Sequence, residues 1–287
     1  MPSIDENKQT WNTTHDWPQA GEEWSYAWGS AYAQWSGCLF PRIFPFLKGR
    51  ILEIAPGHGR WTQFLQAHCA SLIGIDLAPS CVEFCRQRLK GRTNLDFRVN
   101  DGLMLSMVDD ASVDFAFSFD SLVHAESDVL SNYAKELARV LKPGRIAFIH
   151  HSNLGAIRYS FWDKAKRRIR RRIYGLPFDR HYHPRSSYRA TSMTADKIRE
   201  FAQRFGHVLP AAGNHSVGWQ LALLIDCMST IINSPGKECV VIQNDREGPS
   251  IPPSYRHFKK GCHWVPCFGA TNSEIGATVL STTVTYG

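Results

Sequence analysis

Between Arg50 and His151, short apolar runs alternate with helix-length stretches, and that rhythm constrains the fold more than any other feature. Ile51–Ala55, Ser71–Asp76, Leu95–Asn100, Val113–Phe119 and Arg145–His151 read as buried strands, and Trp61–His68, Ser80–Lys90 and Val129–Leu141 as helices. Strands separated by helices pair in parallel through right-handed crossovers, which predicts an α/β, doubly wound, mostly parallel sheet with helices on both faces. Met193–Phe205, capped by Ser192 or Thr194, reads as a further helix. Two apolar runs, Leu221–Ile232 and Glu238–Gln243, read as closing strands and bring the expected sheet to seven.

The flanks differ from this core. Residues 1–47 form a leader with five tryptophans, of which Trp24, Trp28 and Trp35 share helical spacing with Ala31, so one helix packed as a lid over the site is expected. The catalytic domain is expected over 48–245 with an insertion at 156–190, followed by an irregular tail at 246–287. Apolar residues make up 43% of the 287, enough for a core and too many for a disordered chain. Eight cysteines are too sparse for a disulfide scaffold, so free thiols are expected. Neither a signal-peptide core nor a membrane-length apolar run is read, and the expected compartment is the cytoplasm.

A formal charge of +7 could indicate nucleic acid, an anionic small molecule or a membrane surface. Its distribution decides. Lys164–Arg172 reads KAKRRIRRR and supplies seven basic residues, so the rest of the chain is near neutral. Arg180, His181, His183, Arg185 and Arg189 extend that element. It is read as a collar for an anionic acceptor, phosphorylated or lipid-linked, with peripheral membrane contact as a second use and no nucleic-acid partner.

The segment joining the first strand to the first helix, Glu53-Ile-Ala55-Pro-Gly57-His-Gly59-Arg60, is the most informative. Glycines there let a ligand approach the backbone and turn the chain into a helix N-terminus. Glu53 separates this turn from pyrophosphate-binding turns, because a carboxylate at that position repels phosphates and tolerates a cation. Asp76 ends the second strand, where it can accept bonds from ribose hydroxyls, with Leu77 beside it. Asn100, Asp101 and Gly102 end the third strand, and Phe119 and Asp120 the fourth. Polar groups at the carboxyl ends of consecutive strands mark the ligand edge of an open α/β sheet.

These residues resemble the class I S-adenosylmethionine-dependent methyltransferases, whose fold is Rossmann-like, over about Arg50–Gln243. The strand-one acid and glycine turn, the strand-two acid and an LKPGR turn at Leu141–Arg145 carry the resemblance. Ala55 stands where the family places its first glycine, an exchange of one small residue for another that is expected to be tolerated. The resemblance implies that Gly57 and Gly59 approach the methionine portion of S-adenosylmethionine, that Asp76 holds the ribose and Asp101 the adenine amino group, and that Phe119 or Asp120 lines the methyl-donor side. Within the superfamily, LEIAPGHGRWTQFL, FSFDSLVHAE and FIHHSN look like methyltransferases of bacterial surface-glycan and specialised-metabolite clusters. A glycan or small-molecule acceptor methylated on oxygen follows from that narrower likeness.

Methyl transfer from a sulfonium is an in-line displacement, so alignment supplies much of the catalysis, but a sugar hydroxyl also needs a base. His124 and His151 are the expected candidates, with Asp120 next. Successive strand residues face opposite sides, so only one of His150 and His151 can reach a given pocket. A phosphate, amine or carboxylate acceptor, an RNA acceptor and a non-catalytic binding role are the alternatives. Asp120-Ser-Leu-Val lacks the Pro-Pro-aromatic pattern used for base amines. Magnesium is a weaker expectation, with Asp120, Glu126 and Asp128 as acids able to host it. His257, Cys262, His263 and Cys267 match no strong zinc spacing.

Overall fold

A computed structural model describes residues 3–158, 172, 189–215, 226–233 and 241–243. The basic run apart from Arg172, the collar residues 180–185 and the tail with its His/Cys group lie outside the described residues. Five parallel strands follow the expected rhythm: β1 (Arg50–Ile54), β2 (Ser71–Asp76), β3 (Leu95–Val99), β4 (Val113–Ser118) and β5 (Leu141–Ser152). The sheet closes with β6 (His207–His215), β7 (Asp226–Asn233) and β8 (Val241–Gln243) in the order β3-β2-β1-β4-β5-β7-β6-β8, with β7 antiparallel to both neighbours. Among the described residues the sheet therefore has eight strands where seven were expected, and β6 is the one the sequence reading lacked.

Chain order reverses between β1 and β4, which opens a crevice beyond their carboxyl ends. Side-chain alternation divides the core across the sheet. Leu52, Ile54, Ala116 and Ile149 pack beneath helices over Ser127–Val140 and Ala195–Arg204, the latter capped by the Thr194 side chain as expected. On the other face Ile51, Phe115, Phe117 and Phe148 meet Ala31, Trp35, Leu39 and Ile43 of the leader.

Two expectations give way here. The leader is not one helix, because Gly29 adopts φ +88 behind a 3-10 segment at Glu22–Trp28 and a new helix, Ala31–Gln34, starts at the Ser30 cap. The stripe is thus split: Ala31 and Trp35 are buried, while Trp24 is 47% exposed. The LKPGR stretch is the start of β5, not a turn, and Lys142 and Arg145 there ion-pair with Asp114 of β4 at 2.8 and 3.4 Å.

Candidate active site

The turn after β1 is built from left-handed backbone. Ala55, Gly57 and Gly59 adopt φ of +55, +56 and +77. A side chain at Gly57 would come within 2.9 Å of the Trp17 ring, so glycine is needed there for space as well as for conformation. Ala55 pays a conformational penalty that glycine would avoid, so the exchange is a strained position and not a neutral one. Its N–H donates to the Ile75 carbonyl at 2.7 Å, and its carbonyl accepts from the Ser121 hydroxyl at 2.7 Å, which hold the strained residue in place.

Glu53 is buried at the end of β1 and accepts a 2.6 Å bond from the Thr62 hydroxyl. Burial pushes its carboxyl up to about 8, against that hydrogen bond; Asp76 adds to the rise and Arg60 opposes it. Asp76 accepts the Gly57 and Ala78 N–H groups, each at 2.9 Å, and burial still raises it to about 6. It thereby ties the glycine turn to β2. Asn100 donates to the Tyr133 hydroxyl at 3.0 Å and to the Met104 carbonyl at 3.2 Å, which leaves its buried Oδ1 without a hydrogen-bond partner. Asp101 closes its own loop by accepting the Leu103 and Met104 N–H groups, both at 2.8 Å.

The leader lies across these strand ends. Ile4 and Leu77 flank Gly102, where an added Cβ would meet them at 3.1 and 3.2 Å. Asn7 donates to the His124 carbonyl at 3.2 Å, and Asn12 accepts the Ser80 N–H at 2.9 Å. Trp17 stacks on His58 at 4.2 Å between ring centroids, and Phe84 stacks on the other side at 3.8 Å. Burial lowers the His58 imidazole to about 4. Trp11 lies 4.9 Å from the His124 ring. Residues 3–17 thus lie across these strand ends, ahead of the stripe expected to do so.

Beyond β4, Asp120 adopts φ +66 and its side chain is 26% exposed. The Arg60 guanidinium reaches one carboxylate oxygen at 2.6 Å, and His150 Nδ1 lies 3.1 Å from the other. Burial favours the neutral acid, but the Arg60 charge and the His150 hydrogen bond outweigh it and hold Asp120 well below the usual carboxylate range. Phe119 stacks on His150 at 4.5 Å.

Residues 51–144 match a family model described as a methyltransferase domain. Among curated proteins, a bifunctional biotin-biosynthesis protein of Cellvibrio japonicus is 38% identical over 108 residues, which span 38% of this chain and 20% of that one. The chain thus covers about a fifth of that relative's length. Among solved structures, a geranyl diphosphate C-methyltransferase from Streptomyces coelicolor aligns at a TM-score of 0.55 and 10% identity, covering 81% of this chain and 98% of that one. An S-adenosylmethionine-dependent methyltransferase from Mesorhizobium loti aligns at 0.50 and 14% identity, covering 72% and 99%. At those identities the likeness shows the fold.

The cradle fits S-adenosylmethionine, the donor that the sequence resemblance implies. The positive-φ turn exposes backbone at Gly57 and Gly59, Asn100 keeps a buried acceptor unpartnered at the β3 end, and Glu53 and Asp76 suit a cationic, ribose-bearing ligand. Gly57, Gly59, Asp76, Leu77, Asn100, Asp101 and Gly102 are the residues that would hold it.

The candidate bases separate. His151 is fully buried, and its Nδ1 and Nε2 engage the Ser152 carbonyl at 2.9 Å and the Ser229 hydroxyl at 2.8 Å. Burial lowers it to about 4, so the expectation that it serves as base gives way to a structural role within the sheet. The histidine of β5 that reaches the crevice residues is His150. Asp120 is held ionised by Arg60, which makes it a weak proton acceptor, and its expected role as reserve base gives way as well. His124 lies at the crevice edge beside Trp11, its backbone carbonyl accepting from Asn7 at 3.2 Å. Glu126, expected as a magnesium host, instead accepts the Thr191 and Ser192 N–H groups at 3.2 and 2.9 Å, together with the Ser192 hydroxyl. Among the described residues, no three His, Cys, Asp or Glu side chains gather as a metal group. Likewise, no described helix is long and apolar enough to cross a membrane.

Sequence reasoning did not single out Trp17, Ser121 or Asp226, and of the two β5 histidines it chose His151 over His150. His150 could have been separated from His151 by β5 alternation once Asp120 was placed opposite it. Trp17 gave no signal beyond belonging to a tryptophan-rich leader.

Proposed function

We propose that the protein transfers the methyl group of S-adenosylmethionine to an oxygen of a small acceptor, a glycan or sugar-containing molecule with an anionic group. The observation carrying this reading is the leader laid across the crevice from Gly102 to His124 and Gly57, which favours an enclosed small acceptor over a polymer and puts an imidazole at its edge. S-adenosylmethionine supplies an electrophilic methyl group. Asp76, Asp101 and the glycine turn hold the donor, Trp17 and Ile4 exclude water above it, and His124 takes the acceptor's hydroxyl proton. The basic run at Lys164–Arg172 gives the anionic group its partner.

The test is release of S-adenosylhomocysteine with matched acceptor sets: hydroxylated sugars, their phosphate esters, lipid-linked glycans, and amines or carboxylates of similar size. The reading expects turnover with hydroxylated sugars, strongest for those bearing phosphate. Turnover confined to amines or carboxylates would replace the oxygen acceptor by the rival one. Absence of donor binding would remove the reading altogether.

A further inference from the structure

The contacts at Asp120 continue into the sheet. In the β5–β7 register Ser152 pairs with Asp226 and His150 with Met228. His150 and Ser152 face the same side of β5, so Asp226 lies diagonally across from His150 on a shared face. Its Oδ2 is 3.8 Å from His150 Nε2. Asp226 is fully buried and is gripped by Arg189, whose Nε lies 2.7 Å from Oδ1 and whose Nη2 lies 2.7 Å from Oδ2. Arg60, Asp120, His150, Asp226 and Arg189 thus follow one another from the glycine turn to Arg189, with hydrogen-bond distances at every step except the 3.8 Å approach of His150 to Asp226. His151, the next residue of β5, is bonded to Ser152 and Ser229 and takes no part.

A buried carboxylate on a strand needs a partner, but Arg189 alone would satisfy Asp226. The series instead reaches the one member that is both strained and partly exposed at the crevice: Asp120, at φ +66. We propose that His150, Asp226 and Arg189 are positioning residues that fix Asp120, and with it Arg60, at the acceptor side of the crevice, and so make the geometry there depend on how the returning chain segment is seated. The proposal rests on the methyl-transfer reading for its consequence, not for the arrangement itself.

Asp226→Asn, which keeps shape and removes charge, and His150→Gln test it in the full chain, with Asp120→Asn as reference. Amide hydrogen exchange over residues 118–124 is read without ligand, and exchange at Asp120 is expected to rise at least about tenfold in both variants. Exchange unchanged in both would overturn the proposal whatever the chemistry. Turnover and S-adenosylhomocysteine affinity follow: kcat falls about tenfold or more, affinity moves less than about threefold, and His150→Gln with Asp120→Asn is no worse than the poorer single variant. Faster exchange with unchanged kcat per folded molecule, or additive losses in the double variant, would reduce the series to a structural feature and overturn the proposal. If the wild type itself binds no donor, the methyl-transfer reading fails while the exchange result still decides whether the series positions Asp120.

Discussion

At the residue scale, two side chains set measurable consequences. Glu53 is protonated in the free protein below about pH 8, and a cationic donor favours its carboxylate, so binding releases a proton. S-adenosylmethionine affinity is therefore expected to rise from about pH 6 to about 8 and then level, and Glu53→Gln to flatten the profile in calorimetric titrations. The linkage sign follows from the raised value. The unliganded fold binds a proton that the unfolded chain releases, so its stability falls as pH rises toward 8, and the variant loses that slope. At Ala55, glycine relieves the φ of +55, and Ala55→Gly is expected to stabilise the protein by about 0.5–1 kcal/mol in chemical denaturation. His124→Ala is expected to lower turnover about a hundredfold with little change in donor affinity; unchanged turnover removes His124 from the chemistry.

Among the elements, the leader carries the clearest expectation. Trp17 covers Gly57 and stacks on His58, so Trp17→Ala opens the cradle without touching the sheet. Donor affinity is expected to drop about tenfold, ~1.4 kcal/mol, with thermal stability reduced by a few degrees. A loss of stability with affinity retained would confine the leader to packing. β1, β2 and β4 were legible because each is a short, mainly apolar run buried on both faces, whereas β3 buries only Phe97. β6 was not, since Pro210 and Gly213 interrupt any alternation, and its place depends on pairing with β7. The leader's stripe misled for a related reason: Gly29 satisfies helical spacing on paper and ends the helix in space.

For the whole molecule, the cofactor edge was legible and the acid–base assignment was not. Glu53, Asp76 and the glycine turn announce themselves by position along the chain, because strand ends and turns are local. His150, Asp226 and Arg189 come together only through the β5–β7 register, with 76 positions separating the first two in sequence. Asp226 nonetheless carried a signal: a carboxylate inside an apolar strand run has to find a buried partner. Lys164–Arg172 turns the +7 charge into a local matter. Neutralising Arg170, Arg171 and Arg172 is expected to raise the KM of a phosphorylated acceptor severalfold at low salt and much less at high salt. A KM insensitive to both changes would detach the insertion from acceptor binding.

Donor recognition underlies each of these expectations, and calorimetric titration of the full chain with S-adenosylmethionine, S-adenosylhomocysteine and a nicotinamide dinucleotide tests it most directly. Saturable binding of both adenosyl compounds, with proton release on binding S-adenosylmethionine near neutral pH and no dinucleotide binding, is the predicted result. Binding of the dinucleotide in their place would contradict the account.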